Sequence, residues 1–210
     1  EIHGSERVNG VTIAQVDNSL RPEPGTERRI DCDTLLLSVG LIPENELSRR
    51  AGIEIDPLTS GPLVDETLET SVPGIFACGN VLHVHDVADY VSEEAALAGR
   101  SAAGYALGSL KQGTARVEVR PGANVRYVIP QRVDSSLADL EQLVFSFRVK
   151  EPARDVKVRL SGGQRVYERK ESHVIPSEMI RLVLPRRLLA AQGLTGAAAF
   201  EIEVAAEVAT

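Results

Sequence analysis

The sequence is most informative first for what it lacks. No apolar run approaches the roughly 18 residues that a spanning helix needs, so no membrane span is expected. Cysteine is scarce: only Cys32 and Cys78 occur, with no Cys-x-x-Cys, which excludes a disulfide framework. Both lie in apolar, strand-like stretches where an inert buried thiol is the plain expectation. A reducing, cytoplasmic setting fits that usage. The net charge of −7 speaks against general nucleic-acid binding. The opening Glu1-Ile2-His3-Gly4 has no methionine, basic flank or apolar stretch. It does not read as a signal peptide, and the chain is expected to be a fragment.

What is present divides in two. Residues 1–113 hold 8 basic and 18 acidic side chains, whereas residues 114–210 hold 15 basic and 12 acidic. The charge shift coincides with Gly108-Ser109-Leu110-Lys111-Gln112-Gly113, so the expected domains are 1–113 and 114–210. The second part alternates with period two. Val117 and Val119 share a face, as do Leu143, Phe145, Phe147 and Val149, then Val156, Val158 and Leu160, and finally Phe200, Ile202 and Val204. Val125, Tyr127 and Ile129, with Ile180, Leu182 and Leu184, add further candidates, and Arg187–Gln192 reads as helical. The expectation is an antiparallel, immunoglobulin-like β-sandwich of six or seven strands. Its arginines, among them Arg126, Arg132, Arg148, Arg159, Arg165 and Arg169, form either a solvated face or a contact surface for acidic groups of the neighbouring domain or of another subunit. His173 stands alone, and no active site is read in this half.

The first part reads as α/β. Val8–Val16 suggests a strand pair around Asn9-Gly10. Ile30–Val39 reads as a strand buried on both faces, suited to a parallel sheet, and it ends at Gly40. A short helix over Glu46–Ala51 closes at Gly52, and Ile75–Cys78 reads as a short buried strand turning tightly at Gly79-Asn80. Val87–Leu107 is a helix stopped at Gly108, with Asp86 or Ser92 as its N-cap. Ala95, Ala98, Gly99, Ala102, Ala103 and Ala106 give it a face of small residues, which suits close approach to a sheet or to a flat cofactor.

Two segments carry a family resemblance. Asp33-Thr34-Leu35-Leu36-Leu37-Ser38-Val39-Gly40-Leu41-Ile42-Pro43-Glu44-Asn45 resembles the strand-Gly-x-x-Pro-Asn segment that returns the chain to the FAD domain in pyridine nucleotide-disulfide oxidoreductases. Thr70-Ser71-Val72-Pro73-Gly74-Ile75-Phe76-Ala77-Cys78-Gly79-Asn80 resembles the segment that closes over the flavin. The resemblance covers about residues 8–108 and implies part of a two-dinucleotide-binding flavoprotein fold, with FAD, and NAD(P) in the parent protein, as cofactors. It implies that Gly79 and Asn80 lie against the ribityl and pyrophosphate of FAD. Asn80 stands where most relatives carry Asp and keeps an acceptor oxygen. It implies that backbone N–H groups near Ser92 and Glu93 face the flavin pyrimidine edge, and that Gly40 and Pro43 sit near the hinge beside the cofactors. Departures are plain. No Gly-x-Gly-x-x-Gly occurs, so both phosphate loops are expected outside this chain, and without Cys-x-x-Cys the dithiol branch is not supported.

One cluster stands outside that pattern: Val81-Leu82-His83-Val84-His85-Asp86-Val87-Ala88-Asp89. His83 and His85 would share a face if extended. Three readings are open. The pair could ligate a metal with Asp86 or Asp89, although with no fourth ligand apparent none is assigned. One histidine, His83 or His85, could assist proton transfer near the flavin. Or the segment is a hydrogen-bonding loop with Asp86 capping the helix. The expected function is part of an FAD-dependent, NAD(P)-linked oxidoreductase that passes electrons to or from a substrate or partner subunit. The alternative is a non-catalytic interaction module in which residues 114–210 dock a partner. Self-association is also expected, because parallel-type strands expose their edges.

Overall fold

In the computed structural model, residues 1–38, 40–110, 116–134, 141–162, 165–185, 187–188 and 199–206 are described. The chain forms two compact units, Glu1–Leu41 and Ile42–Thr210.

The first unit contains an antiparallel sheet of β1 (Ile2–His3), β2 (Gly10–Ile13) and β3 (Arg28–Ile30), in that spatial order. Val11 sits centrally, opposite Ile2 on one side and Ile30 on the other. The turn expected at Asn9-Gly10 falls elsewhere. Gly10 is already in β2, and the chain reverses through residues 4–9, where Gly4 adopts φ +109°. A Cβ at Gly4 would lie 1.9 Å from the Arg7 carbonyl oxygen, so the tight point of this hairpin needs glycine. The strand expected over Ile30–Val39 is shortened to β3. Residues 31–38 form none, Leu36 and Leu37 are 90% and 68% exposed, and Val39 lies outside the described residues. An apolar strand of that kind is ordered by neighbours on both edges, and among the described residues none pairs with it.

The second unit opens with α1 (Glu46–Arg50), where Glu46 occupies the first turn and Arg49 and Arg50 the last, in keeping with the helix dipole. Gly52 follows in the left-handed conformation, as expected. In place of a strand over Ile75–Cys78 there is an isolated bridge, Glu69 to Phe76, and the chain then winds into a 3-10 turn at Gly79–Val81. α2 runs over Ala88–Ala106 and ends at Gly108 in the left-handed conformation. Val87, in extended backbone, is its N-cap, so the helix begins neither after Asp86 nor after Ser92.

Eight strands follow among the described residues: β4 (Arg116–Pro121), β5 (Val125–Ile129), β6 (Arg132–Asp134), β7 (Gln142–Val149), β8 (Ala153–Gly162), β9 (Arg165–Val174), β10 (Ile180–Pro185) and β11 (Ala199–Ala206). They form two sheets, β10-β7-β5 and β6-β4-β11-β8-β9, which share one apolar core. Leu143, Phe145, Phe147 and Val149 face it from β7, as their alternation predicts, and meet Phe200, Ile202 and Val204 of β11. Two features leave the expected antiparallel, immunoglobulin-like arrangement unconfirmed. β11 pairs with β4 in parallel, and β10 and β11 lie in different sheets, whereas the closing strands of an immunoglobulin domain share one. The helix expected over Arg187–Gln192 is seen at Arg187 and Leu188, and the rest lies outside the described residues.

β5 joins the two halves of this unit. Its pairing with β7 shifts register between Val125 and Tyr127, the signature of a bulge. Val125 and Val128 consequently point into the sheet core, while Tyr127 and Ile129 point outward into a second cluster with Val64, Leu68, Ala77, Leu82 and Ala98. Strict alternation would have sent Val125, Tyr127 and Ile129 to one side. Residues 42–110 and the β-rich region thus pack as parts of the same compact unit.

Candidate functional site

The site is built from the turn at Gly79 and the helix that follows. Cys78 arrives extended, and Gly79 turns into φ +70°. The Gly79 carbonyl then accepts the backbone N–H groups of Leu82 at 2.9 Å and His83 at 3.2 Å. The Asn80 side-chain oxygen accepts the His85 N–H at 3.1 Å. This winding carries both imidazoles inward: the His83 and His85 side chains are 1% and 3% exposed. Their ring centroids lie 4.3 Å apart, and the Tyr127 ring meets His83 edge-on.

Glu94, on the second turn of α2, completes the cluster. One carboxylate oxygen lies 3.0 Å from His83 Nε2, and the other lies 3.0 Å from His85 Nε2 and accepts the Gly79 N–H. Burial opposes ionisation of Glu94, but the hydrogen bonds from His83 and His85 outweigh it and hold the carboxyl at about 2. Burial also pushes the His83 imidazole below its ordinary value, against the pull of Glu94. The Cys78 thiol is pushed up by burial and then by the same carboxylate. Nδ1 of both histidines is buried without a hydrogen-bond partner. The rings owe their orientation to what Nε2 meets.

Glu94 is not among the residues that the sequence singles out. A signal was present: Glu94, Leu97, Ala98 and Ser101 recur at the spacing of one helix face, and Ala98 and Ser101 are the buried residues of α2. The acids expected to join the histidines do not. Asp86 is bonded to Arg148 and accepts the Met179 N–H, and Asp89 is exposed. Nor is Asp86 a helix cap, because α2 has no side-chain cap hydrogen bond.

The remaining predicted residues are distributed as follows. Asn80 is exposed next to buried Gly79. Ser92 and Glu93 lie within α2: the Ser92 hydroxyl donates to the Ala88 carbonyl at 3.1 Å, and Glu93 pairs with Arg181 at 2.8 Å. Gly40 takes φ +83° in the first unit and Pro43 is half-buried in the second. The small-residue face of α2 buries only Ala98, while Ala95, Gly99, Ala103 and Ala106 are exposed.

Arginines of the β-rich region hold this segment. Arg148 donates to Tyr127 Oη at 3.1 Å and to the Val84 carbonyl at 3.1 Å, besides its bond to Asp86. Arg132 pairs with Glu54 at 2.8 Å, and Arg181 lies 4.3 Å over the Tyr90 ring. Acidic groups of residues 42–110 are thus met by arginines of the same unit. Arg159 instead pairs within its own sheet, with Glu168 and Glu203.

The pyridine nucleotide-disulphide oxidoreductase profile matches residues 2–106, and the chain belongs to this family, whose cofactors are FAD and NAD(P). Among relatives, the nitric oxide reductase FlRd-NAD(+) reductase of Salmonella agona is 32% identical over 73 residues, covering 35% of this chain and 19% of its own. The mitochondrial dihydrolipoyl dehydrogenase of Caenorhabditis elegans is 35% identical over 98 residues, 46% of this chain and 19% of its own. The ferredoxin--NAD(+) reductase component of the Paraburkholderia xenovorans biphenyl dioxygenase system is 46% identical over 54 residues, 26% of this chain and 12% of its own. The chain therefore spans at most about a fifth of the length of these relatives. No solved structure matches it. No helix among the described residues is long and apolar enough to cross a membrane.

Proposed function

We propose that the chain is part of an FAD-dependent, NAD(P)-linked oxidoreductase in which hydride passes between nicotinamide and flavin, and electrons then pass to or from a partner protein. The observation that carries this reading is the Gly79–Asn80 turn leading into α2. Three features fit a flavin nucleotide there. Gly79 is left-handed at φ +70°, a turn that glycine takes without the strain of a side chain. Asn80 presents an exposed amide whose oxygen has a second lone pair beyond the His85 N–H. The first turn of α2 leaves its N–H groups without a side-chain acceptor, a favourable place for negative charge.

In this reading Gly79 and Asn80 hold the ribityl and pyrophosphate, and the start of α2 polarises the flavin pyrimidine edge. Because α2 begins at Ala88, the N–H groups available are those of its first turn, and Ser92 and Glu93 act by extending the helix behind them. When bound, the flavin supplies the hydride and electron chemistry. The chain's own residues orient it and exclude water. Gly40 and Pro43 are assigned to the hinge on resemblance alone. We read residues 114–210 as an accessory module of a reductase that works with partner proteins. Support comes from two relatives whose names denote reductases of a ferredoxin and of FlRd.

The test is direct. The purified 210-residue chain is incubated with FAD, freed of unbound ligand, and its visible spectrum recorded. A retained flavin band that Asn80→Ala removes and Asn80→Asp keeps is the expected result. A band indifferent to Asn80 overturns the assignment of this turn to the cofactor, whereas a colourless protein places FAD retention in segments beyond this stretch.

A further inference from the structure

Glu94 presents a physical problem. It is a carboxylate with 12% of its side chain exposed, and among the described residues no lysine or arginine pairs with it. Its partners are two imidazoles and one backbone N–H. Burying a charge is costly unless it is compensated. Arg148 is committed elsewhere, to Asp86, Tyr127 and three backbone carbonyls, those of Val84, Pro176 and Ser177.

We propose that His83, His85 and Glu94 form a binding site for one divalent transition-metal ion of the zinc and cobalt class. One ligand-type atom from each residue lies within 4.8 Å of the other two. His83 Nε2 lies 3.0 Å from one Glu94 oxygen and His85 Nε2 3.0 Å from the other, so the carboxylate is set between the two rings where an ion would take one atom from each residue. Two imidazoles with one carboxylate suit zinc, cobalt, nickel or ferrous iron, and they disfavour calcium and magnesium, which take oxygen. Three protein ligands leave a fourth position open.

The surroundings fix the ligands. The Gly79 N–H holds one Glu94 oxygen, and the Tyr127 edge packs on His83. The buried Nδ1 atoms take no part in protein hydrogen bonding. The protein's own bonds thus account for one nitrogen of each ring, and that nitrogen faces the carboxylate. The acids nearest in sequence play no part, because Asp86 is committed to Arg148 and Met179.

The test needs no flavin, so its outcome is independent of the reading above. The 210-residue chain is dialysed against Co²⁺ and against Zn²⁺, and bound metal is measured together with the visible spectrum of the cobalt form. About one equivalent should be retained, with the intense bands of low-coordinate cobalt. Glu94→Gln and His85→Gln should each weaken retention at least about tenfold, since even loss of an outer-shell partner costs that much. X-ray absorption on the unaltered zinc form reads the ligands where a variant does not fold, and two imidazoles in the shell are expected. Retention under about a tenth of an equivalent, equal retention by both variants, or an all-oxygen shell would show a hydrogen-bonded triad only.

Discussion

Arg148 on β7 grips Asp86, the residue just before the N-cap of α2, so a side chain of the β-rich region sets where the helix of the glycine-turn segment begins. The same guanidinium takes the Val84 carbonyl, between the two histidines, and the Ser177 carbonyl at 2.6 Å. Asp86 in turn accepts the Met179 N–H. The network spans three separate stretches of chain, and each bond is charge-assisted. Arg148→Ala is expected to destabilise the chain by about 1.5–3 kcal/mol, the range for hydrogen bonds to a charged group. Asp86→Asn keeps an acceptor for Met179 and should cost less. Urea midpoints at constant slope measure both, and an unchanged midpoint for Arg148→Ala would remove this network from the account of how β7 holds the loop.

Asn45 makes a comparable join from the other side of the turn. It is 1% exposed, and its amide donates to the Ser60 carbonyl at 2.8 Å and the Val81 carbonyl at 2.7 Å. Its oxygen accepts the Ser48 hydroxyl at 2.7 Å, which ties α1 into the same knot. Asn45→Ala strands two buried carbonyls and should cost roughly 2 kcal/mol or more. Thermal unfolding followed by far-UV dichroism checks this. Asn45→Asp should be no milder, because it replaces the donors with a buried charge.

Legibility in the sequence follows from which forces are local. α1, the end of α2 and the apolar faces of β4, β7, β8 and β11 are set by periodicity and by glycines at φ above +50°, and all are readable. The expectation for Ile30–Val39 rested on apolar content, which cannot report whether strands are available on either side. β5 misleads because a bulge reverses the side of Tyr127 relative to Val125, and no alternation rule anticipates an inserted residue. At the candidate site, Gly79, Asn80, His83 and His85 were legible as positions. Glu94 was signalled only by the spacing it shares with Leu97, Ala98 and Ser101 along α2, which does not say what that helix face meets. The bond of Arg148 to Asp86 just ahead of α2 joins residues 62 apart in sequence, and no local pattern reports it.

Glu66 gives a pH dependence with a definite sign. Burial, and then the Asp65 carboxylate, raise its pKa from 4.5 to about 7, while its side chain accepts the Asp134 N–H at 2.9 Å. The folded state therefore holds this proton more tightly than the unfolded chain. The resulting contribution is complete below pH 4.5 and is lost as pH rises to 7, a span worth at most roughly 3 kcal/mol. Glu66→Gln keeps an acceptor for Asp134 and removes the titration. It should match the parent near pH 4.5, exceed it above pH 7, and flatten the difference curve outside that interval. Parallel slopes of stability against pH for the two proteins would refute the assignment.

Two glycine substitutions should move stability in opposite directions. Gly61 faces the backbone of Leu82 so closely that a Cβ would lie 1.7 Å from the Leu82 carbonyl oxygen. Nothing flexible can yield there, and Leu82 is itself fully buried in the cluster beneath the turn. Gly61→Ala must push apart the segments that carry His83, with a cost of about 3 kcal/mol or more expected of a backbone clash in a core. Gly99 lies in the middle of α2 with nothing within 4 Å of an added Cβ. Gly99→Ala gains helix propensity and should stabilise by about 0.8–1 kcal/mol. Paired melting curves decide the matter: a destabilised Gly99→Ala would mean that the exposed small-residue face of α2 is pressed against something, and a neutral Gly61→Ala would mean that the turn is looser than its contacts state.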